Sequence, residues 1–228
     1  MKIHPLAPLI FLTFYLSSSW TNAQNSSAGL TPWEQKCHSY ESQDLCAQDV
    51  AKNLYHKHAE IFSHTGEHLV VKLNSGRTKL FSDAAVRYAV TDYIPEANYL
   101  VVRQQYSQGN TWLILSLQSG LLTKIDGYPI FSPNHKYFFA WESNLTSPIN
   151  PPTTRIFRSS HPVPIPEWKS ECEDILEWQL ARANWQTDQL LVLEQGIASP
   201  QKVEVKKLKK VQAYGVRWSA PNLDCSAR

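Results

Sequence analysis

Four histidines and two glutamates fall within residues 56–68: His56, His58, Glu60, His64, Glu67 and His68. Imidazole nitrogen and carboxylate oxygen are ligands that suit zinc. On a strand the first two histidines share one face with Glu60, and a turn at Thr65-Gly66 brings one of the later two across from them. The candidate metal ligands are therefore His56, His58, His64 and His68. An exposed polar strand edge is the commoner explanation, since the spacing matches no recognised ligand motif.

Hydrolytic chemistry by other side chains has weaker support. The sequence contains no G-x-S-x-G elbow to present a serine nucleophile. Glu171, Glu173 and Asp174 supply carboxylates of the kind that a glycosidase pairs, but acidic residues beside a cysteine are ordinarily a solvated loop. We therefore assign no catalytic residue and expect no cofactor.

The four cysteines are Cys37, Cys46, Cys172 and Cys225. An even number of cysteines in an oxidising compartment favours two disulfides, and no C-x2-C pair points to zinc instead. Three pairings are open. We favour Cys37 with Cys46, and Cys172 with Cys225. The second bond closes the longer loop, so it should contribute more to stability, about 4 kcal/mol by the entropy of loop closure.

The N-terminal residues have the three parts of a secretory signal peptide. Lys2 is basic, residues 6–16 are mostly apolar, and residues 17–23 are mostly small or polar. The apolar run is shorter than the roughly 18–20 residues that span a bilayer, so we expect cleavage after Ala23. The mature chain would then begin at Gln24, be secreted or periplasmic, and contain no transmembrane segment.

The rest of the chain changes its periodicity near residue 55. Residues 33–55 predict one short helix, with Ser42 placed to cap it. Beyond it, β-branched and aromatic runs predict strands at residues 69–73, 99–103, 112–117, 137–141, 155–157, 190–193, 203–208 and 214–218. Turn signals separate them at residues 74–76, 108–110, 118–120 and 132–134.

These elements predict an all-β fold of antiparallel sheets. Its segments are a signal peptide at residues 1–23, a polar leader and short helix at residues 24–54, and a β-repeat domain at residues 55–228. A mature chain of this length is an ordinary size for one β domain.

Two elements of the sequence recur. The stretch LVVKLNSG at residues 69–76 corresponds in character to LILSLQSG at residues 113–120, an offset of 44 residues. A propeller blade has about 40–45 residues. A second element, an entry residue followed by a tight turn and an apolar strand, recurs at residues 93–102, 131–140 and 184–193. We expect the second element to open a four-stranded sheet and the first to close it.

One copy of the second element carries a family resemblance. Residues 129–140 read PIFSPNHKYFFA, which resembles the P-x-F-S-P-D-G-K signature of TolB-type, WD40-like β-propeller repeats. The resemblance implies a propeller-like or partial-propeller fold and brings no functional residues with it. Asn134 replaces the family's Asp and His135 its Gly. Because histidine is unfavourable at positive φ, we expect this turn to differ. A sandwich of similar hairpins is the alternative, since four repeat units are few for a closed ring.

Two further segments are candidates for partner binding. A proline-rich stretch at residues 147–167 is stiff and can present side chains to a partner, which makes Trp168, Pro162 and Pro164 candidates. A surface insertion without a role is the alternative. Five lysines within residues 202–210 form the only basic run of the sequence. We expect them either to bind an anionic partner or to prevent an edge strand from pairing with another chain. No nucleic-acid-binding motif accompanies them.

The sequence therefore favours a non-enzymatic binding module of the cell envelope or secreted space. It would recognise another envelope or extracellular protein through loops at one rim of its sheets, as an inhibitor or immunity protein does. The alternative is a metal- or carboxylate-dependent hydrolase of envelope polysaccharide, which requires the histidines to converge or two acids to face each other. A purely architectural envelope protein is a third hypothesis.

Overall fold

The computed structural model of the protein describes residues 31–83, 85–107, 109–141, 154–159, 162–169, 179–199, 202–214 and 217–219. Within them, two α-helices come first: α1 (Pro32–Lys36) and α2 (Gln43–Lys57). The strands are β1 (Phe62–Thr65), β2 (His68–Lys72), β3 (Thr78–Ser82), β4 (Arg87–Ile94), β5 (Tyr99–Tyr106), β6 (Gly109–Ser116), β7 (Leu122–Ile125), β8 (Ile130–Phe131), β9 (Tyr137–Trp141), β10 (Thr154–Arg158), β11 (Ile165–Lys169), β12 (Gln179–Thr187), β13 (Leu190–Ser199), β14 (Lys202–Tyr214) and β15 (Arg217–Ser219). The described residues are therefore mainly β, as predicted.

The strands form four antiparallel sheets, each built from consecutive strands. The first sheet contains β1–β3, the second β4–β7, the third β8–β11 and the fourth β12–β15. Each of the eight predicted strand segments overlaps an observed strand. The segment at residues 214–218 is divided between two strands. Tyr214 ends β14 and pairs with Arg217, the first residue of β15.

The sequence repeats occupy equivalent places in these sheets. The three copies of the second element contain the turn between the first two strands of the second, third and fourth sheets. The stretches at residues 69–76 and 113–120 contain the turn before the last strand of the first and second sheets. Both elements occur together only in the four-stranded second sheet, where one opens the sheet and the other closes it as predicted. By this correspondence, β1, β2 and β3 match the last three strands of the second sheet.

Apolar side chains pack between neighbouring sheets. In β5, Leu100 and Val102 belong to a buried cluster shared with the first sheet, whereas Tyr99 and Val101 belong to a cluster shared with the third sheet and the helices. A third cluster joins the third and fourth sheets. The second and third sheets are thus buried on both faces, which explains their near-continuous apolar strands. Within the described residues no strand pairing joins the first sheet to the fourth, and no closed propeller is formed.

The N-terminal region contains two helices, where the sequence predicted one. Thr31 and Glu34 form a capping box around α1: the Glu34 amide donates to Thr31 Oγ1, and the Thr31 amide donates to Glu34 Oε2. Ser42 caps α2 as predicted. Helix α2 continues to Lys57, past the predicted boundary at residue 54, because no glycine or proline interrupts it. None of the described helices has the length and apolar character needed to cross a membrane.

A disulfide joins the end of α1 to the first turns of α2. Cys37 and Cys46 are bonded at 2.01 Å, which confirms the favoured pairing. Both cysteines are buried in the cluster between the helices, the second sheet and the third sheet. The predicted partners Cys172 and Cys225 lie outside the described residues.

The turn at residues 132–136 corrects one expectation. His135 adopts a left-handed φ of 57°, so its side chain does not exclude the conformation that glycine favours. Asn134 holds the turn, because its Oδ1 accepts from the Ser132 hydroxyl at 3.2 Å and from the Lys136 amide at 2.9 Å. Such side-chain bonds offset the roughly 1–2 kcal/mol that a left-handed residue with a side chain costs.

The strand ends form two rims, because alternate turns of an antiparallel meander lie at opposite ends. The turn rim carries the turns β2–β3, β4–β5, β6–β7, β8–β9 and β12–β13. Hydrogen bonds join each sheet to the next along it: Asn74 N to Leu117 O at 2.9 Å, Ser119 Oγ to Pro162 O at 2.9 Å, and Asn134 N to Asp188 Oδ1 at 2.8 Å. The opposite end, the cleft rim, carries the β5–β6 turn, the β7–β8 connection and the end of β9.

Candidate functional site at the cleft rim

A cleft of about 400 Å³ lies at the cleft rim, between the helices and the second and third sheets. Its volume falls within the range of ligand-binding clefts, about 300–1,000 Å³. Its lining residues come from four separate parts of the chain: Thr31, Trp33, Glu34 and Gln43; Gly109, Asn110, Thr111 and Trp112; Lys124, Ile125, Asp126, Gly127 and Tyr128; and Trp141.

Three aromatic rings support the centre of this cleft. The Trp33 ring centroid lies 5.1 Å from that of Trp112 and 5.5 Å from that of Tyr128, and the Trp112 and Tyr128 centroids lie 5.2 Å apart. The two contacts of Trp112 are edge-to-face, a geometry that adds to the energy of burial. The Lys36 ammonium lies 5.8 Å from the Trp33 centroid and donates to the Thr91 carbonyl at 3.2 Å. These contacts fix α1 on the second sheet and thereby set the position of one wall.

An ion pair fixes the second helix to the same sheet. Arg103 of β5 is almost fully buried and donates from Nη1 to Asp44 Oδ1 of α2 at 2.6 Å. A buried guanidinium without its carboxylate partner would be strongly unfavourable. The pair therefore holds the start of α2, and with it Gln43, beside the cleft.

The opposite wall depends on Asp126 and Gly127. Asp126 Oδ2 lies 3.1 Å from Arg155 Nε, so this carboxylate is paired with a cation of the third sheet. Gly127 has φ 148°, and a Cβ atom there would lie 1.9 Å from the Trp141 carbonyl oxygen. Only glycine permits this approach, because any side chain would collide with backbone. The β7–β8 connection is thus tightly packed against the end of β9.

Tyr128 links this wall to β4. Its hydroxyl donates to Asp92 Oδ2 at 2.8 Å. Burial, and then the charge of Asp92, raise the pKa of Tyr128 well above its ordinary value of 10.0. The phenol is therefore protonated at neutral pH, where it donates a hydrogen bond to Asp92.

Some exposed apolar side chains lie on segments next to the cleft, although none of them lines it. Six large hydrophobic residues of the described part are exposed, and three of them, Tyr40, Leu45 and Tyr106, lie on segments that border the cleft. Tyr40 and Leu45 belong to the disulfide-closed segment that includes the lining residue Gln43. Tyr106 pairs with Gly109 across the β5–β6 hairpin. Tyr106 shares its strand face with Leu100 and Val102, which pack toward the first sheet, and Leu45 lies roughly 200° around α2 from Gln43. These side chains therefore point away from the cleft.

The structure does not bring the candidate metal ligands together. His56 lies in α2 and His58 caps its C-terminus, so the strand face on which the metal hypothesis depended is absent there. His58 Nδ1 lies 3.9 Å from Glu60, whereas His64 Nε2 lies 2.7 Å from Asp83 Oδ2 at the far end of β1. His68 is exposed at the start of β2. Within the described residues, no group of three or more potential ligands is placed to hold a metal ion.

The other candidate residues have different surroundings. Trp168 is half-buried in edge strand β11 and packs against the cluster between the third and fourth sheets. Pro164 is buried, and exposed Pro162 accepts the Ser119 hydroxyl at the turn rim. Lys202–Tyr214 forms β14, the third strand of its sheet. The acidic candidates Glu171, Glu173 and Asp174 lie outside the described residues.

Sequence reasoning missed the cleft. One local signal was available, since Thr31-Pro32-Trp33-Glu34 matches a capping box with proline in the first turn and predicts α1. Comparison of the chain with protein-family models and with curated proteins gave no match. The resemblance to TolB-type repeats therefore still depends on residues 129–140.

Proposed function

We propose that the protein is an exported, non-enzymatic binding module whose cleft rim receives a segment of another protein. The observation that carries this proposal is a concave polar cleft of about 400 Å³, two of whose lining residues, Trp33 and Trp141, have buried indole Nε1 atoms without a hydrogen-bond partner among the described residues. Protein interfaces commonly centre on a few aromatic or aliphatic anchors surrounded by polar groups. An envelope or extracellular partner fits the secretory signal predicted at residues 1–23, and an inhibitor or immunity protein is the narrower form of this hypothesis.

The packing beneath the cleft supports binding rather than chemistry. Asp126 is paired with Arg155, and the Tyr128 hydroxyl is bonded to Asp92. A general base must be free to take a proton from a substrate, whereas these groups already hold the walls in place. A pre-formed site of this kind loses little conformational entropy when it binds.

Paired surface variants test the proposal. Gln43→Ala and Asn110→Ala remove exposed polar side chains that line the cleft, and Gln48→Ala is the matched control because Gln48 is exposed on α2 and does not line it. We expect the two cleft variants to lose capture of a specific partner from envelope or secreted extracts, while the control captures it as the parent does. Equal capture by all three would contradict the proposal.

We also infer that the four sheets are blades of a partial propeller of TolB type. Each sheet is a meander, the repeats occupy equivalent turns, and the second and third sheets are buried on both faces. Export is tested separately by N-terminal sequencing of the secreted or periplasmic protein, which should begin at Gln24. Retention of Met1 in cytoplasmic protein would contradict export and leave the binding surface untouched.

A further inference from the structure

We infer that the partner segment is uncharged where it enters the cleft, and that one of its carbonyl oxygens accepts a hydrogen bond from the indole of Trp33. This inference rests on the proposed function and adds the chemistry of the partner. The oxygen belongs either to the backbone of the segment or to a side-chain amide, and two peptides distinguish these sources.

The buried tryptophan indoles of the described residues differ in whether they have a partner. Trp185 Nε1 donates to the Ile130 carbonyl at 2.9 Å, and Trp218 Nε1 donates to Glu167 Oε2 at 3.1 Å. Trp33 is 2% exposed, and its Nε1 is buried without a hydrogen-bond partner among the described residues. Buried donors in proteins are nearly always paired, so an unpaired donor beside a cleft is a group that a ligand can bind.

Trp33 packs among the residues that line the cleft. Its ring contacts those of Trp112 and Tyr128, and both of these residues line the cleft as Trp33 does. Trp141 Nε1 is also buried without a partner in the described part of the chain, but the Trp141 ring packs on Phe139 in the cluster between the third and fourth sheets. We therefore assign the donor to Trp33, which belongs to the cluster between the helices and the second and third sheets.

The charges that line the cleft offset one another. The charged lining residues are Glu34, Lys124 and Asp126. Asp126 is paired with Arg155 at 3.1 Å, and Glu34 Oε2 accepts from the Thr31 amide at 2.7 Å. Exposed Lys124 forms no ion pair within the described residues, and its charge balances that of Glu34. A charged group of either sign therefore gains little at this cleft.

The uncharged lining groups suit a polypeptide. Gln43, Asn110 and Thr111 line the cleft, and their amide and hydroxyl groups both donate and accept, as the N–H and C=O groups of an extended backbone do. The Trp33 indole can only donate, so it requires an oxygen acceptor. A carbonyl oxygen of the partner segment meets this requirement without bringing a charge into the cleft.

The test follows the indole N–H resonances of the full chain by ¹H–¹⁵N NMR while short capped peptides are added. The Trp33 resonance is the one that is missing from the spectrum of Trp33→Phe. A peptide of glycine and alanine offers only backbone carbonyls, and a second peptide with a central asparagine adds a side-chain amide. At least one of them should move the Trp33 resonance until it saturates and leave that of Trp185 in place, because the Trp185 indole is already bonded. Equal affinities would assign the oxygen to the backbone, and tighter binding of the asparagine peptide would assign it to the side chain.

Two variants measure what the indole contributes. Trp33→Phe keeps an aromatic ring but removes the donor, so it should weaken the neutral peptides about two- to ten-fold, as the loss of one hydrogen bond does. Trp185→Phe is the matched control, since it alters a buried indole that does not line the cleft, and affinity should stay unchanged. Added salt should change the affinity of the neutral peptides by less than about two-fold. The movement of the Trp33 resonance in the parent does not depend on the stability of either variant.

The outcomes separate this inference from the proposed function. Peptides that leave the Trp33 resonance in place, or that bind Trp33→Phe as tightly as the parent, would overturn the inference. A lysine or glutamate in place of the central asparagine that strengthens binding more than about ten-fold would also overturn it. Partner capture that Gln43→Ala abolishes and Trp33→Phe preserves would overturn the inference and support the proposed function. Binding of the saccharide chitobiose at the Trp33 indole in place of every peptide would overturn both.

Discussion

The two rims of the protein close their strand ends in different ways. At the turn rim, the turns bond to one another from sheet to sheet, as in the pairs Asn74–Leu117 and Asn134–Asp188. At the cleft rim, a cleft of about 400 Å³ lies between the N-terminal helices and the sheets. Polar groups at one rim are therefore satisfied by neighbouring turns, while at the other rim polar side chains line a cleft.

The difference between the rims predicts which substitutions change stability alone and which also change binding. Substitutions at the turn rim should lower the free energy of unfolding without changing the affinity of the cleft. Substitutions at the cleft rim should change both, because the same aromatic and glycine residues support the fold and shape the walls.

The largest effect should follow from Trp33→Ala. Trp33 is 2% exposed and packs on Trp112 and Tyr128, so its loss leaves a cavity beneath α1. We expect the free energy of unfolding in urea to fall by about 3–5 kcal/mol. Trp168→Ala, at a half-buried edge position, should cost less than half as much. A loss below about 1 kcal/mol for Trp33→Ala would mean that α1 is not part of the core.

A glycine pair isolates the close packing of the cleft wall. Gly109 and Gly127 both have φ 148°, but a Cβ at Gly109 meets nothing within 4 Å, whereas one at Gly127 collides with the Trp141 carbonyl. Both alanine variants carry the same backbone strain. Gly127→Ala should therefore lower stability by about 1–3 kcal/mol more than Gly109→Ala, measured by urea denaturation. Equal losses of stability would show that the backbone near Trp141 moves easily to accommodate the added methyl group.

The turn rim is tested at Asn134. Asn134→Ala removes the acceptor that bonds the Ser132 hydroxyl and the Lys136 amide, and should lower stability by about 1–2 kcal/mol. Asn134→Asp keeps an acceptor oxygen and should lose less. Capture of the partner by the cleft should stay unchanged in both variants. A change in capture would contradict the separation of the two rims.

The smallest effect concerns Tyr128→Phe, which removes the hydrogen bond to Asp92 and should cost about 1 kcal/mol near neutral pH. The folded pKa of Tyr128 is raised above the unfolded value of 10.0. Its stabilising contribution is therefore complete below pH 10.0 and is lost as the pH rises through the folded pKa. Urea denaturation across this range should show the parent losing stability faster than Tyr128→Phe. Parallel curves would contradict the assignment.

Much of the sheet architecture could be predicted because its signals are local. Apolar strands that end in Asn74-Ser75-Gly76 or Gln118-Ser119-Gly120 specify both the hairpin and the place of the turn. The strand Arg87–Ile94 was not predicted, because it mixes charged and apolar residues and lies mostly outside the two repeated elements. The end of α2 was placed too early, because histidines at alternate positions resemble a polar strand edge.

The cleft could not be predicted from any one stretch of sequence. Thr31, Trp112, Asp126 and Trp141 are brought together by the packing of separate sheets, and none is unusual in its own neighbourhood. The histidine cluster shows the opposite error, a site that was predicted from residues close in sequence but is not formed by the described residues. His58 and His64 are close in sequence, yet His58 caps α2 beside Glu60, whereas His64 lies in β1 beside Asp83.

The meander topology also bears on how the chain acquires its structure. Every sheet is completed by strands that follow one another directly, and the disulfide spans only nine positions ahead of the first strand. Contacts between near neighbours form with little loop-closure entropy. A chain that is exported with its N-terminus first can therefore fold one sheet before the strands of the next sheet emerge. Each folded sheet then presents an apolar face against which the next sheet packs.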